Sequence, residues 1–264
     1  MRAGLSGERW RAAVFADPLL ASIKAVSAGL AQHDDWPGLD TLNRLAARSG
    51  LTNARGLPLR FVAQTVRRGQ LDYERHILET GEVPTRPHNW HDLFNALIWL
   101  SFPRSKATLN ALQCAALAQR GAPGRRPPLS DAATLFDESG LVLVAPDECL
   151  AAALRARRWR EAFVTRRAEW AGARCYVFGH ALLEKALAPF PAMTGKCLSL
   201  CLSPSQPSEA ALSAIIDAHV AACWSQGVIR RPADLFPVPV LGIPGLWPAN
   251  AAPTFYDDTR VFRP

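Results

Sequence analysis

The segment TRPHNWHDLFNALIWL, residues 85–100, joins the densest polar cluster of the chain to one of its longest apolar runs. Its apolar residues predict a buried helix that begins near Asn89. The polar side chains of this helix follow one another at three- and four-residue steps on one face: His88, His91 or Asp92, and Asn95. Because a polar stripe on an otherwise apolar helix needs partners, the segment indicates a candidate site.

This polar stripe has two interpretations. In the first, His91 and Asp92 act as metal ligands, or as a general base and the carboxylate that orients it. In the second, the polar groups belong to the helix end, where Asn89 caps the first turn and Asp92 is favoured by the helix dipole. Capping alone does not require four polar residues on one stripe, so both interpretations stay open.

A second polar cluster lies where a strand predicted at 174–178 leads into a helix that opens after Gly179. His180 and Glu184 are one turn apart on this otherwise apolar helix. The helix N-terminus favours the neutral imidazole, which is the form that binds a metal or accepts a proton. A structural His–Glu hydrogen bond is the alternative. The spacing is less specific than the HExxH motif of metalloproteases, which this sequence lacks.

Asp137 and Glu138 form a third pair, within AATLFDESGLVLV at residues 132–144. The apolar runs on either side and the glycine at 140 predict a β-hairpin near 133–145 with the two acidic residues in its turn. Side chains of adjacent residues then point in different directions, so that one can face a site. Ordinary turn chemistry is the alternative, since aspartate is common in turns.

Further polar residues near these clusters are predicted to take part in binding. They are Arg86, His88, Asn95, Lys106, Asn110 and Lys185. Only four of the 30 basic residues are lysines, and most of the lysines lie in or beside the polar segments. Because lysine is a compact point charge whose pKa shifts readily, these placements suggest positions that arginine cannot fill.

The formal net charge of +7 and the basic segment 155–170 support a different function. This segment carries Trp159, Phe163 and Trp170 on one side and arginines on the other, which is typical of an amphipathic helix. Its basic face is either a solvated surface or a face that binds nucleic acid or an acidic protein. Nucleic acid is therefore a partner to consider, although not the favoured one.

Composition and motifs exclude several classes of protein. With 49% hydrophobic and 20% charged residues, the chain has the composition of a folded domain. No apolar run approaches the roughly 18 residues of a membrane span, and the N-terminal charges do not fit a signal peptide. Six cysteines without a CxxC pair indicate reduced thiols. We therefore expect a cytoplasmic protein without membrane partners. Motifs for nucleotide phosphates, a serine nucleophile elbow or calcium are missing.

The predicted elements indicate an α+β fold, mainly helical, with a small sheet. We expect an N-terminal helical segment at 1–35 and a single α+β domain at 36–264. Within this domain, residues 227–264 are too rich in proline for a long helix or a central strand and too apolar for a free tail. They are expected to pack across the body as an extended segment, with Asp257 or Asp258 binding an arginine or completing the site.

Five segments resemble one known family. They are TRPHNWHDLFNALIWLSFPRSK at 85–106 with Asn110, TLFDESG at 134–140, FGHALLEK at 178–185, PVLGIPG at 239–245 and FYDDTRVFRP at 255–264. They resemble the bacterial domain-of-unknown-function family 3025, and the resemblance extends from about Trp36 to Pro264. It implies no activity, fold or cofactor. The stretch LSDAA at 129–133 departs from the Arg-Arg-Asp expected there, and only Asp131 fits.

Together these features favour a small hydrolase-like enzyme. Its predicted site draws on three segments: His91, Asp92, Asp137, Glu138, His180 and Glu184. A divalent metal is the cofactor to test, since imidazoles and carboxylates are ligands for such ions. We expect the side chains of His91 and His180 to lie within one metal-site diameter, in a concave pocket with a carboxylate. The alternative is a non-catalytic protein that binds nucleic acid or an acidic partner through arginines.

Overall fold

The apolar segment at 85–100 forms a helix in the centre of the fold. In the computed structural model, which describes residues 9–66, 69–118, 127–202 and 208–263, this helix spans Trp90–Ser101. Asn89 caps it by accepting a hydrogen bond of 3.0 Å from the Asp92 amide. All of its apolar side chains are buried. A helix that is buried all around, rather than on one face, belongs to the core.

Other helices and short strands surround this core. Within the described ranges, the α-helices are α1 (Lys24–Ser27), α2 (Leu39–Arg48), α3 (Gln70–Thr80), α4 (Trp90–Ser101), α5 (Pro103–Ala118), α6 (Pro128–Ser139), α7 (Cys149–Arg155), α8 (His180–Ala186) and α9 (Glu209–Ser225). The strands are β1 (Arg60–Ala63), β2 (Glu82–Thr85), β3 (Gly140–Ala145), β4 (Arg174–Val177), β5 (Thr194–Cys201) and β6 (Phe236–Pro239). The fold is therefore α+β and mainly helical, which confirms the predicted class.

The strands form two small sheets. β1 and β2 pair in parallel, and the second sheet has the strand order β4-β3-β5-β6. In this sheet β3 is antiparallel to β4 and parallel to β5, while β5 is antiparallel to β6. Because every residue of β3 is buried, this strand is covered on both faces.

The prediction of a β-hairpin near 133–145 is wrong, because the residues expected to form its first strand are part of helix α6. This helix begins with a proline, whose missing N–H costs nothing at the first helical position. Its buried apolar side chains recur at helical spacing: Ala132, Ala133 and Phe136. Packing of this face outweighs the local turn signal. Asp137 and Glu138 consequently lie in the last turn of a helix rather than at a hairpin tip.

The basic segment at 155–170 is also not one helix. α7 ends at Arg155, Glu161–Thr165 is a π-helical turn and Arg167–Ala171 is a 3₁₀ turn. The break lies at Arg157, whose φ of 54° is left-handed. The amide of Arg157 bonds the carbonyl three residues back, and the next amide bonds the carbonyl five residues back. This is a Schellman motif, which satisfies the last carbonyls of α7.

The proline-rich C-terminal segment packs on the body, as predicted. Its strand β6 pairs with β5, and its apolar side chains join the core. The Tyr256 hydroxyl donates a hydrogen bond of 2.8 Å to the Gly242 carbonyl. Asp257 pairs with Arg160, and Asp258 pairs with Arg260. These two carboxylates therefore bind arginines and do not reach the predicted polar clusters.

The N-terminal segment is made of short turns that pack on the core. From residue 9 onward it contains 3₁₀ turns and α1, and Leu20 and Ile23 are buried. The Trp10 and Trp90 rings stack with centroids 5.2 Å apart. The domain boundary between residues 35 and 36 stays a prediction. Among the described helices, none is both long enough and apolar enough to cross a membrane.

Candidate functional site

Five of the six residues of the predicted site meet where α3, α4, α5, α6 and α8 pack together. α4 carries His91, α6 carries Asp137 and Glu138, and α8 carries His180 and Glu184. All of these except Glu184 line a cleft of about 560 Å³. The structure thus brings together side chains from the three segments that the sequence analysis selected.

Gly179 permits this meeting of α6 and α8. The amides of residues 178 and 179 both bond the Gly140 carbonyl at 2.9 Å. A Cβ on Gly179 would lie 2.4 Å from the Ser139 nitrogen and 2.5 Å from the Glu138 carbonyl oxygen, so no side chain fits there. Because of this contact, His180 begins α8 directly beside the acidic end of α6.

The two imidazoles face each other through their Nε2 atoms. His91 Nε2 and His180 Nε2 are 3.0 Å apart, and the ring planes are inclined by 80°. Glu138 Oε2 lies 3.8 Å from His180 Nε2. One ligand atom from each of these three residues lies within 4.8 Å of the other two. The cluster therefore has the donor types and spacing of a small metal site.

A carboxylate lies on the opposite side of each imidazole. Glu184 Oε2 accepts a hydrogen bond of 2.9 Å from His91 Nδ1. Asp137 Oδ2 lies 3.7 Å from His180 Nδ1, which is beyond hydrogen-bonding distance, and among the described residues this buried nitrogen has no hydrogen-bond partner. The pairing of His180 with Glu184 that the sequence suggested is therefore wrong, because Glu184 turns to His91.

A buried network fixes Asp137. Lys106, whose side chain is 6% exposed, donates hydrogen bonds to Asp137 Oδ1 at 2.5 Å and to Asn95 Oδ1 at 2.8 Å. Asn95 in turn donates to the Tyr73 hydroxyl at 3.1 Å. Of the predicted binding residues, Lys106 thus holds Asp137 directly, and Asn95 holds Lys106.

Burial and charge shift the pKa values of the cluster. Burial lowers the pKa of His180 to about 3, so this imidazole is neutral. Burial also lowers the pKa of His91, but the hydrogen bond to Glu184 and the charge of Glu138 outweigh it and leave the pKa above its ordinary value. Burial raises the pKa of Asp137, but the Lys106 charge prevails and lowers it. Burial and the Asp137 charge raise the pKa of Glu138.

Further residues that line the cleft were not predicted from the sequence. They carry amide, hydroxyl and carboxyl side chains: Gln64, Gln70, Tyr73, Glu74, Gln113 and Thr134. Asn110 Nδ2 donates a hydrogen bond of 2.7 Å to Glu74 Oε2. Burial, assisted by the Asp137 charge, raises the pKa of Glu74 to about 7. The available signal was the position of Glu74 on the same helical face as the buried Ile77, three residues later.

The remaining predicted residues lie outside the cluster. Asp92 accepts three hydrogen bonds from Arg86, at 2.7, 2.9 and 2.6 Å, and therefore does not orient His91. His88 precedes α4 with a left-handed φ of 52° and is exposed. The polar residues that were predicted to share one face of the helix therefore do not form one site. Lys185 is exposed on α8 and is not among the residues of the cleft.

The arginines of 155–170 largely pair with acidic side chains. Arg158 and Arg166 bind Glu161, Arg166 also binds Glu169, and Arg160 binds the tail at Asp257. These pairs reduce the net charge of the basic surface. The predicted alternative, binding of nucleic acid or an acidic partner, stays a prediction.

Comparison with known proteins gives a family match. The sequence model of DUF3025, described as a protein of unknown function, matches residues 59–264. No curated protein and no solved structure matches the chain. The matched range contains all five helices of the site.

Proposed function

Because the chain belongs to the DUF3025 family, whose description assigns no function, we propose a function from the site itself. We infer that the protein is a metal-dependent hydrolase in which His91, His180 and Glu138 hold one divalent ion. The observation that carries this proposal is the arrangement of the two imidazoles, which turn their Nε2 atoms toward each other and toward a carboxylate.

The distances suit a metal ion. Two nitrogens that bind one zinc ion at about 2.1 Å in tetrahedral geometry are about 3.4 Å apart. His91 Nε2 and His180 Nε2 are 3.0 Å apart, so a small movement of one ring accommodates the ion. Glu138, 3.8 Å from His180 Nε2, supplies an oxygen ligand. Two histidines and one glutamate form a ligand set that catalytic zinc sites use, with the fourth position open.

The outer carboxylates support the same assignment. Histidines that bind metals commonly direct Nδ1–H to a carboxylate, which fixes the tautomer and leaves the Nε2 lone pair for the ion. Glu184 does this for His91 at 2.9 Å. Asp137, held by Lys106, lies on the corresponding side of His180, 3.7 Å from Nδ1. Glu184 therefore has the position expected behind a metal ligand, and a movement of Asp137 toward His180 would complete the same arrangement for the second ring.

Hydrolysis is the reaction that this site suits best. A divalent ion lowers the pKa of a coordinated water to about 7, which provides a nucleophile at neutral pH. His91, His180 and Glu138 line the cleft, so a substrate in the cleft would lie next to an ion held by these residues. Glu74 lies in the cleft wall, and its pKa of about 7 suits a group that exchanges protons at that pH. We also propose a cytoplasmic location, because the six cysteines are free thiols.

Metal binding by the purified protein tests the proposal. We expect calorimetric titration with Zn²⁺ to show about one ion per chain, and His180→Ala and Glu138→Gln to abolish this binding. Glu184→Gln should weaken it by about 10- to 100-fold, as expected for a carboxylate behind a ligand. His88→Ala is the matched control, since this exposed histidine lies outside the cluster.

Two outcomes contradict the proposal. The first is that the wild-type protein binds no divalent ion. The second is that the folded ligand variants, verified by thermal melting, bind it as tightly as the wild type. In either case the imidazoles form a structural pair.

A further inference from the structure

The cleft beside the metal cluster has a chemistry of its own. We infer that it binds a small neutral substrate rich in hydroxyl and carboxamide groups, and that it rejects phosphorylated and other anionic compounds. This inference rests on the proposed function, because it names the substrate class of the same site.

The positive charges of the cleft are already occupied. Among the described residues that line it, Arg86 has the only Lys or Arg side chain, and Asp92 accepts three hydrogen bonds from that residue. Lys106 is not among the residues that line this cleft, and it binds Asp137 at 2.5 Å. Sites for phosphate or carboxylate groups present arginine or lysine donors to the ligand. Here Arg86 and Lys106 bind carboxylates of the protein instead of a ligand.

Acidic groups reinforce this selection. Four carboxyl side chains line the cleft: Glu74, Asp92, Asp137 and Glu138. Asp92 and Asp137 are paired with Arg86 and Lys106, so Glu138 and the ionised fraction of Glu74 are left to offset the two charges of a divalent ion. An anionic substrate would therefore gain no salt bridge from the side chains of the cleft while it loses its own hydration.

The uncharged polar side chains that line the cleft provide hydrogen bonds to a neutral polar substrate. Gln70 Nε2 donates hydrogen bonds to Gln113 Oε1 at 3.1 Å and to Thr134 Oγ1 at 2.8 Å, so these three side chains hold one another in place. Carboxamides and hydroxyls both donate and accept hydrogen bonds, and they therefore match ligand groups of the same kind. A site built in this way discriminates strongly against analogues without such groups, because its own polar groups then lose their partners.

The cleft offers little to an apolar ligand. Among its described lining residues, Pro84 is the only one with a purely hydrocarbon side chain. Pockets for acyl chains or aromatic rings are lined mainly by apolar residues. The volume of about 560 Å³ suits a compact molecule.

Three hydroxamates test the inference. Gluconohydroxamic, hexanohydroxamic and adipic monohydroxamic acid share six carbons and one metal-binding group, but their tails are hydroxylated, apolar and anionic. With the Zn²⁺-loaded protein, we expect calorimetry to show the gluconate compound binding at least tenfold more tightly than either of the others. Asp92→Asn removes the carboxylate that neutralises Arg86. This variant should improve binding of the adipate compound at least fivefold and leave the hexanoate compound unchanged.

The outcomes separate this inference from the proposed function. If Zn²⁺ does not bind, the proposed function fails. If Zn²⁺ binds but the apolar or the anionic tail is preferred or equal, only the substrate class is overturned. The wild-type ranking decides this even if Asp92→Asn does not fold.

Discussion

At Glu74, burial changes the chemistry of one carboxyl group. Its side chain is buried in the wall of the cleft near the negative charge of Asp137, and these two effects outweigh the hydrogen bond from Asn110, which favours the carboxylate. The neutral form is therefore favoured far above the pH at which an exposed glutamate ionises. The same burial that suits proton exchange must consequently reduce stability at higher pH.

Glu74→Gln tests this coupling. The folded pKa of about 7 exceeds the ordinary value of 4.5, so the unfolded chain ionises first and stability falls as pH rises through this interval. Above pH 7 the contribution of Glu74 to the free energy of unfolding is lower by about 3 kcal/mol than it is below pH 4.5. We expect the variant to match the wild type near pH 4 and to exceed its free energy of unfolding at pH 8, as measured by urea titration. The exposed Glu79→Gln on the same helix is the control, and equal slopes for wild type and Glu74→Gln would contradict the prediction.

Gly179→Ala tests the contact between α6 and α8. The new methyl group would lie 2.4 Å from the Ser139 nitrogen, so one backbone segment must move. Overpacking of this kind costs about 1–3 kcal/mol, and we expect weaker Zn²⁺ binding because His180 moves with Gly179. Gly29→Ala should change neither quantity, because a Cβ at Gly29 would meet nothing within 4 Å. Unchanged stability and metal affinity in Gly179→Ala would show that the contact can relax freely.

Site residues were predicted most reliably where a polar side chain stands in an apolar segment. His91 and His180 stand in apolar segments and therefore required partners, which led to the expectation that they meet. The partner of each was not predictable, because the orientation of α8 relative to α4 decides whether Glu184 bonds His180 or His91. Glu74 was missed because an acidic residue on an amphipathic helix ordinarily faces water.

Among the elements, helices with clear end signals were predicted most accurately. The spacing of apolar residues predicts helices at 39–48 and 71–80 that end at Gly50 and Gly81, and α2 and α3 have these bounds to within one residue. Both glycines have the left-handed φ that ends a helix. α6 was mistaken for a strand because a short apolar run fits either element, and only packing decided between them. β6 contains two prolines, and because proline is found only in edge strands or bulges, the sequence did not predict a strand here.

The end of α7 gives a prediction at this scale. Arg157 occupies the left-handed position of the Schellman motif, where a residue with a Cβ is strained by about 1 kcal/mol and glycine is not. We expect Arg157→Gly to be more stable than Arg157→Ala by about that amount in urea unfolding. Both variants remove the arginine side chain and its contacts, so their difference isolates the backbone effect. Equal stability would show that this turn relaxes when the side chain is lost.

Across the whole molecule, the C-terminal segment joins the sheet to the 155–171 region. In this segment Tyr256 stacks on Phe163 of the 155–171 region and donates a hydrogen bond to the carbonyl of Gly242, which follows β6. We expect Tyr256→Phe to lower the free energy of unfolding by about 1 kcal/mol, since a buried carbonyl loses its donor, and Tyr256→Ala to lower it by about 3–5 kcal/mol. Urea unfolding measures both. Variants as stable as the wild type would indicate that the tail is not docked in solution.

The sequence separation of the two histidines has a consequence for the order of folding. His91 and His180 are 89 positions apart, and their meeting requires β3, β4 and the start of α8 to be in place. Contacts between such distant segments carry a large loop-closure cost and form late. An ion that binds only the finished arrangement stabilises it by mass action. If the proposed ion binds there, its presence would distinguish a completely folded chain from a partly folded intermediate, and the proposed hydrolysis would begin only once the site is complete.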